Sequence, residues 1–174
     1  MKKVIIVLVI LIIIVAVTAV LNRESLREKA ASQADAILYI KADGVETEVD
    51  FATIKELPEK EFPAVLKSSG KPPVDTSYTG VQLKDLLAKL EVKTDGKKQV
   101  ITKAVDGYTV ALSMEEVLID DNVYIVYKRD GKDLGTKEKG GSGPYQVVIR
   151  NDQFGQRWNK YLMEGSKRYD YGEK

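Results

Sequence analysis

Eighteen consecutive positions, Val4 to Leu21, carry apolar side chains with the single exception of Thr18. As a helix rising about 1.5 Å per residue, the run spans roughly 27 Å, close to the hydrocarbon thickness of a bilayer. The pattern predicts a transmembrane anchor over residues 1–21. A cleaved signal peptide stays open as a competing reading, because Val17-Thr18-Ala19 offers a small-residue cleavage site, although the run exceeds the roughly 7 to 15 apolar residues usual for one. From Arg23 to Ala36 the apolar positions are too sparse to form a face. Residues 22–36 therefore read as a helical or disordered stalk that acts as a spacer.

From residue 37 the pattern is that of short strands. Ile37 to Lys41 and Val45 to Phe51 alternate around Asp43-Gly44, which predicts a hairpin. Asp50 or Thr53 caps a short helical segment carrying Phe51, Ile54 and Leu57 and ending at Pro58. Phe62 to Lys67 reads as a strand, and Ser68, Ser69, Gly70, Pro72 and Pro73 as an irregular loop. Val81, Leu83, Leu86, Leu87 and Leu90 recur at helical spacing and predict an amphipathic helix. Lys98 to Ala104 and Tyr108 to Leu112 form a second hairpin about Asp106-Gly107, and Ser113 with Glu116 opens a helical turn reaching Leu118.

Val123 to Arg129 is a strand turning at Asp130-Gly131, followed by a loop with Gly135, Gly140, Gly141 and Gly143 and by a strand from Tyr145 to Arg150. Gln156 to Met163 fits either a helical turn or a strand. Some seven short strands with two or three short helices that do not alternate with them predict an α+β domain over residues 37–174.

Charge adds an orientation and removes a class of partner. Lys2 and Lys3 are the only charges before Asn22, so 25 of the 27 basic residues and all 26 acidic ones lie beyond the apolar run. The positive-inside rule then keeps the N-terminus cytoplasmic and places the C-terminal domain outside the cytoplasm, on a single-pass cell-membrane protein, or secreted if the N-terminal segment is cleaved. A near-neutral domain offers no basic face for nucleic acid. The chain has no histidine and no cysteine, which excludes disulfides, zinc fingers, thiolate-held clusters, Ser-His-Asp triads and a lipid-modified cysteine.

Several ordered pieces together resemble a known family. They are GVQLKDLL (Gly80 to Leu87), AVDGYTVALSMEEV (Ala104 to Val117), DNVYIVYKRDGKDL (Asp121 to Leu134), GGSGPYQVVI (Gly140 to Ile149) and RWNKYL (Arg157 to Leu162). In that order they are similar to the molybdopterin-binding domain of sulfite-oxidase-type oxidoreductases, over about Ile37 to Met163. The resemblance implies the sulfite-oxidase-like fold in a short, membrane-anchored bacterial member. It also implies what is missing. The family's molybdenum-ligating cysteine would fall within Phe62 to Pro73, near Leu66 to Gly70, where this chain has FPAVLKSSGKPP; Gln146 stands where the family commonly has Arg; and the histidines that often hold the pterin phosphate are absent.

The cofactor expectation is therefore open, with molybdopterin implied by resemblance alone, no metal ligand and no catalytic residue assigned. The sharpest binding candidate is Gly140, Gly141, Ser142 and Gly143 with Lys137, Lys139 and Arg150, since successive glycines let backbone N–H groups converge on an anion; a plain hairpin loop is the alternative. Tyr108 and Tyr145 with Arg157, and beside them Tyr78, Trp158 and Tyr161, could grip a planar ligand or simply pack. Asp120, Asp121 and Asn122 read as a solvated turn, and Glu115 and Glu116 as helix-capping residues.

The expected function is a membrane-anchored, non-catalytic module that binds a small anionic or planar ligand, or a membrane redox or surface protein partner. An oxidoreductase or electron-transfer component using non-cysteine ligands and a purely structural interaction domain are the alternatives.

Overall fold

Helix α1 runs unbroken from Lys2 to Ala34. In the computed structural model, which describes residues 2–66, 72–104, 107–150, 161–163 and 168–170, every residue from Val4 to Leu21 is exposed on it. Among the described residues it is the one helix long and apolar enough to cross a membrane. The charged stretch after Leu21 continues the same helix, so the stalk is helical.

Strands β1 (Ile37–Ala42) and β2 (Val45–Asp50) form the first hairpin. Asp43 and Gly44 turn it at φ 51° and 78°, the pair of positive φ angles that a two-residue type I′ turn demands. Helix α2 (Phe51–Lys55) follows at once, capped by the Asp50 carboxylate, which accepts from the Thr53 N–H at 2.7 Å. Asp50, not Thr53, is thus the cap.

Strand β3 (Lys60–Leu66) pairs with β4 (Val74–Gln82), and helix α3 (Leu83–Lys89) begins directly after. The expected helix from Val81 is shorter than its apolar spacing suggested. Gly80 to Gln82 belong to the β4 ladder with β7 (Val123–Arg129), where the register shifts at Thr79/Gly80. Val81 still reaches the core, but from a strand. The largely polar Val74 to Thr79 stretch becomes a strand because β3 pairs with all of it and β7 with its last two residues.

Strands β5 (Gln99–Lys103) and β6 (Thr109–Ser113) make the second hairpin, and α4 (Met114–Leu118) is capped by Ser113 Oγ, which accepts from the Glu116 N–H at 3.1 Å. A third hairpin joins β7 to β8 (Lys132–Asp133) through Asp130 and Gly131, again both at positive φ. A 3-10 turn (Lys137–Lys139) precedes β9 (Tyr145–Ile149), and the chain adds β10 (Tyr161–Met163) and β11 (Arg168–Asp170). The end of the ambiguous Gln156 to Met163 segment is therefore a strand; residues 156–160 lie outside the described residues.

The strands form two sheets, ordered β2-β1-β11-β5-β6 and β10-β9-β7-β4-β3, with β8 beside β7. The eleven described strands exceed the seven expected, and β1 pairs parallel with β11, a long-range contact that no local turn announces. Both sheets share one core: Leu38, Ile40, Val100 and Leu112 meet Ile125, Tyr127, Tyr145 and Val147, with Ile54, Leu83, Leu86, Leu87 and Val117 from the helices. The alternate residues of the second sheet, Tyr124, Val126 and Val148, join Phe62, Tyr78 and Leu134 on its other face. Both faces are buried along β7 from Val123 to Tyr127 and along all of β9.

Candidate functional site

The glycine loop begins where β8 ends. Gly140 caps the 3-10 turn at φ 68°, and Gly143 lies at φ 100°. Its backbone N–H groups face inward. Those of Lys139 and Gly141 donate to Thr136 O at 3.1 and 2.8 Å, and that of Gly140 donates to Lys137 O at 3.0 Å. Those of Ser142 and Gly143 donate at 3.0 Å to Leu134 O and Gly135 O. A backbone anion site needs such groups unspent and convergent. Here five are consumed in folding the loop on itself, and Gly141 is required because a Cβ there would strike the carbonyls of Leu134 and Gly135.

What the loop does receive is the C-terminal end of α1. Gln33 is fully buried, donating from Nε2 to Pro144 O at 2.6 Å and accepting at Oε1 from the Gly135 N–H at 3.2 Å. Ser32 Oγ accepts from the Thr136 N–H at 3.1 Å, and the Tyr145 hydroxyl donates to Ala36 O at 3.0 Å. A Cβ on Gly135 would lie 2.8 Å from the Lys29 side chain, so that glycine is what lets helix and loop approach. The stalk is more than a spacer: residues 29–36 are seated in the domain. The signal in the sequence was the helical spacing of Leu26, Lys29 and Gln33, too polar to register as a face.

Arg150 does not join the glycine loop. It follows the last residue of β9, whereas the loop precedes the first, and five residues of strand separate them by roughly 17 Å. The guanidinium pairs with Asp121 and lies 5.2 Å from the Phe62 ring centroid. Asp121, expected in a solvated turn, is instead a hub. Its carboxylate accepts from Lys60 Nζ at 2.7 Å, from the Tyr124 hydroxyl and from Arg150, while its N–H donates to Gln82 Oε1 at 2.6 Å.

The Lys60 bond, then those from Tyr124 and Arg150, holds the Asp121 carboxyl well below the usual carboxylate range. A depressed folded-state pKa adds stability that is present above the ordinary value of about 3.9 and is lost as pH falls through the folded one. Asp121→Asn should therefore cost about 1 kcal/mol at pH 7, and the deficit should shrink below about pH 4. Denaturant titrations at pH 7 and pH 3 measure it, and an equal deficit at both would contradict the assignment.

The aromatic set is dispersed. Tyr145 and Tyr78 are buried, on opposite faces of the second sheet, and burial pushes both hydroxyls up in pKa. Tyr145 also packs near Phe51, at 6.4 Å between ring centroids. Tyr108 is 47% exposed beside β6, in the other sheet. Tyr161 opens β10, where its backbone pairs with Val147. Arg157 and Trp158 lie outside the described residues, as do residues 67–71 of the Phe62 to Pro73 segment. Lys139 is exposed at the end of the 3-10 turn.

Gln146 is the residue whose placement the pattern missed. It is fully buried on β9, with Nε2 donating to Ser142 O at 3.4 Å and Oγ at 3.3 Å and with Oε1 lacking a hydrogen-bond partner.

These residues do not fit a molybdenum pterin. The chain has no thiolate to ligate the metal, its glycine-loop N–H groups are spent on the loop, and Arg150 neutralises Asp121 at the other end of β9. Gln146 is uncharged where the resemblance implies an Arg, and its buried Oε1 is an acceptor, not a cationic donor for an anion.

The family comparison is nevertheless clear. Residues 38–165 match the family described as the oxidoreductase molybdopterin binding domain. Among solved structures, the sulfane dehydrogenase SoxCD from Paracoccus pantotrophus is similar, with a TM-score of 0.61 and 20% identity over 79% of this chain. This chain spans 38% of that protein's length, and at this identity the likeness is one of fold. No curated protein matches the sequence significantly. Since the match covers most of the chain and the two-sheet architecture agrees with it, this protein belongs to the oxidoreductase molybdopterin-binding-domain family.

Proposed function

We propose that this chain is a membrane-anchored, extracytoplasmic member of the family that works without molybdenum, as a ligand- or partner-binding module. The observation that carries this reading is the chemistry of its donors: no cysteine exists anywhere in the chain, and a high-valent oxo-molybdenum centre of this family's type takes a thiolate. The closed hydrogen bonding of the glycine loop supports it. The anchor is α1, with Lys2 and Lys3 on the cytoplasmic side and the domain outside. In this arrangement a binding partner is a protein in or at the same membrane. A redox protein is the first candidate, since the similar solved structure is that of a dehydrogenase.

Family membership itself favours a second reading, an oxidoreductase or electron-transfer component that holds the pterin through other ligands. The two differ in cofactor content. Full-length protein produced in a host that makes the molybdenum cofactor should contain neither molybdenum nor pterin under the first reading, and one of each per chain under the second.

A further inference from the structure

The membrane helix and the domain are joined without a flexible joint, because α1 is continuous from Lys2 and its last turns are hydrogen-bonded to the glycine loop through the buried Gln33. From Leu21, the end of the apolar run, to Lys29, the first residue against Gly135, the helix rises only about 12 Å. The headgroup layer accounts for roughly 5 to 7 Å of that. The end of the second sheet that carries the α1 seat is thus held within a side chain's reach of the headgroups.

That end has a composition suited to them. Helix α1 packs along β8 and the 3-10 turn. The segment from Lys128 to Lys139 holds five basic and three acidic residues, with Lys132, Lys137 and Lys139 exposed. One of the three acids, Asp130, is already occupied, accepting from Thr76 Oγ1 and the Ser77 N–H. The β3–β4 hairpin projects past the same end. Strand β4 pairs with β7 only as far as Tyr78↔Arg129, so Val74 lies roughly 13 Å further along. Val65 and Val74, on opposite faces of the projecting hairpin, are 47% and 56% exposed.

We propose that this end of the domain rests on the bilayer, with Lys132 and Lys139 against anionic phospholipid headgroups and the exposed Val65 and Val74 side chains in the interface. The proposal rests on α1 being a membrane anchor. Its chemistry is that of a juxtamembrane basic patch combined with a small apolar contact, and each lysine near an anionic surface is worth on the order of fivefold in association.

The natural absence of cysteine makes the test clean. Single-cysteine variants Val74→Cys, Lys132→Cys, Asp120→Cys and Val9→Cys of the full chain, each carrying an environment-sensitive fluorophore, are reconstituted into vesicles. The vesicles are of phosphatidylcholine alone or of phosphatidylcholine with phosphatidylglycerol. Quenching by headgroup-labelled and acyl-chain-labelled nitroxide lipids is read.

Labels at positions 74 and 132 should be quenched by the headgroup probe in anionic vesicles, more than in neutral ones, and the label at position 120, at the other end of the sheet, should not. Replacing Lys132 and Lys139 by Glu should remove the quenching at position 74. Acyl-chain quenching at position 9 reports the anchor separately. If position 9 is quenched while 74 and 132 behave like 120, the proposal is overturned with the anchor intact. If position 9 is unquenched, the anchor reading falls and the proposal with it. Equal quenching in neutral and anionic vesicles would overturn the assignment to anionic headgroups.

Discussion

Gly80→Ala should lower the stability of the protein by about 3 kcal/mol, at the upper end of what overpacking costs, because the atoms in the way are backbone. A Cβ at Gly80 would lie 2.6 Å from Val126 Cα and closer still to the Ile125 carbonyl, and both belong to the buried stretch of β7. Neither can move aside without opening the β4–β7 ladder, which already carries a register shift at this point. For a chain of this size the melting temperature should fall by about 10 °C. Gly44→Ala is the reference, since nothing lies within 4 Å of its Cβ position and only its positive φ of 78° is strained. That substitution should cost about 1 kcal/mol. Equal losses for the two variants, measured by thermal and denaturant unfolding, would contradict the close approach.

The second large effect is expected at Gln33. Truncation to Ala removes the amide and leaves Pro144 O and the Gly135 N–H buried without their partner. Each orphaned group costs about 1 to 3 kcal/mol, so the seat of α1 should open more easily by about 2 to 6 kcal/mol. The domain core, which shares little with Gln33, should stay folded. Hydrogen exchange is the measure: the amides of Gly135 and Thr136 should lose protection while those of β7 keep theirs, and trypsin should gain access at Arg27 and Lys29. Unchanged protection at Gly135 would show that the helix is not held there.

Sequence patterns disclosed most of the local structure and little of the long-range assembly. Asp43-Gly44 and Asp130-Gly131 place two turns correctly because the backbone they require is nearly exclusive to such residues. Ser113 with Glu116 places a helix start for an equally local reason. Strand β4 escaped notice because Val74 to Thr79 owes its conformation to β3 along its whole length and, from Tyr78 onward, to β7 some fifty residues ahead. The short helix α3 follows from the same override, with Val81 spaced like a helical residue but held in a ladder.

The candidate site illustrates a related limit. Glycines at 140, 141 and 143 look alike whether they free N–H groups for an anion or allow a loop to fold tightly, and only the acceptors of those groups decide between the two. Arg150 was placed by its nearness in sequence to the loop, yet a strand carries it to the far end of the sheet, where Asp121 claims it. Gln33 carried only the weak signal of its spacing from Leu26 and Lys29, because an amide on a charged helix resembles any exposed residue until its partners, 102 and 111 positions away, are known.

The central claim is that a molybdopterin-type scaffold is used here without its metal. The most direct test is the native mass of the full-length chain, released from detergent after production in a host that makes the molybdenum cofactor. The account predicts the mass of the polypeptide alone, 19.4 kDa, and no molybdenum by elemental analysis. A species heavier by a pterin and one molybdenum atom, present in stoichiometric amount, would contradict it.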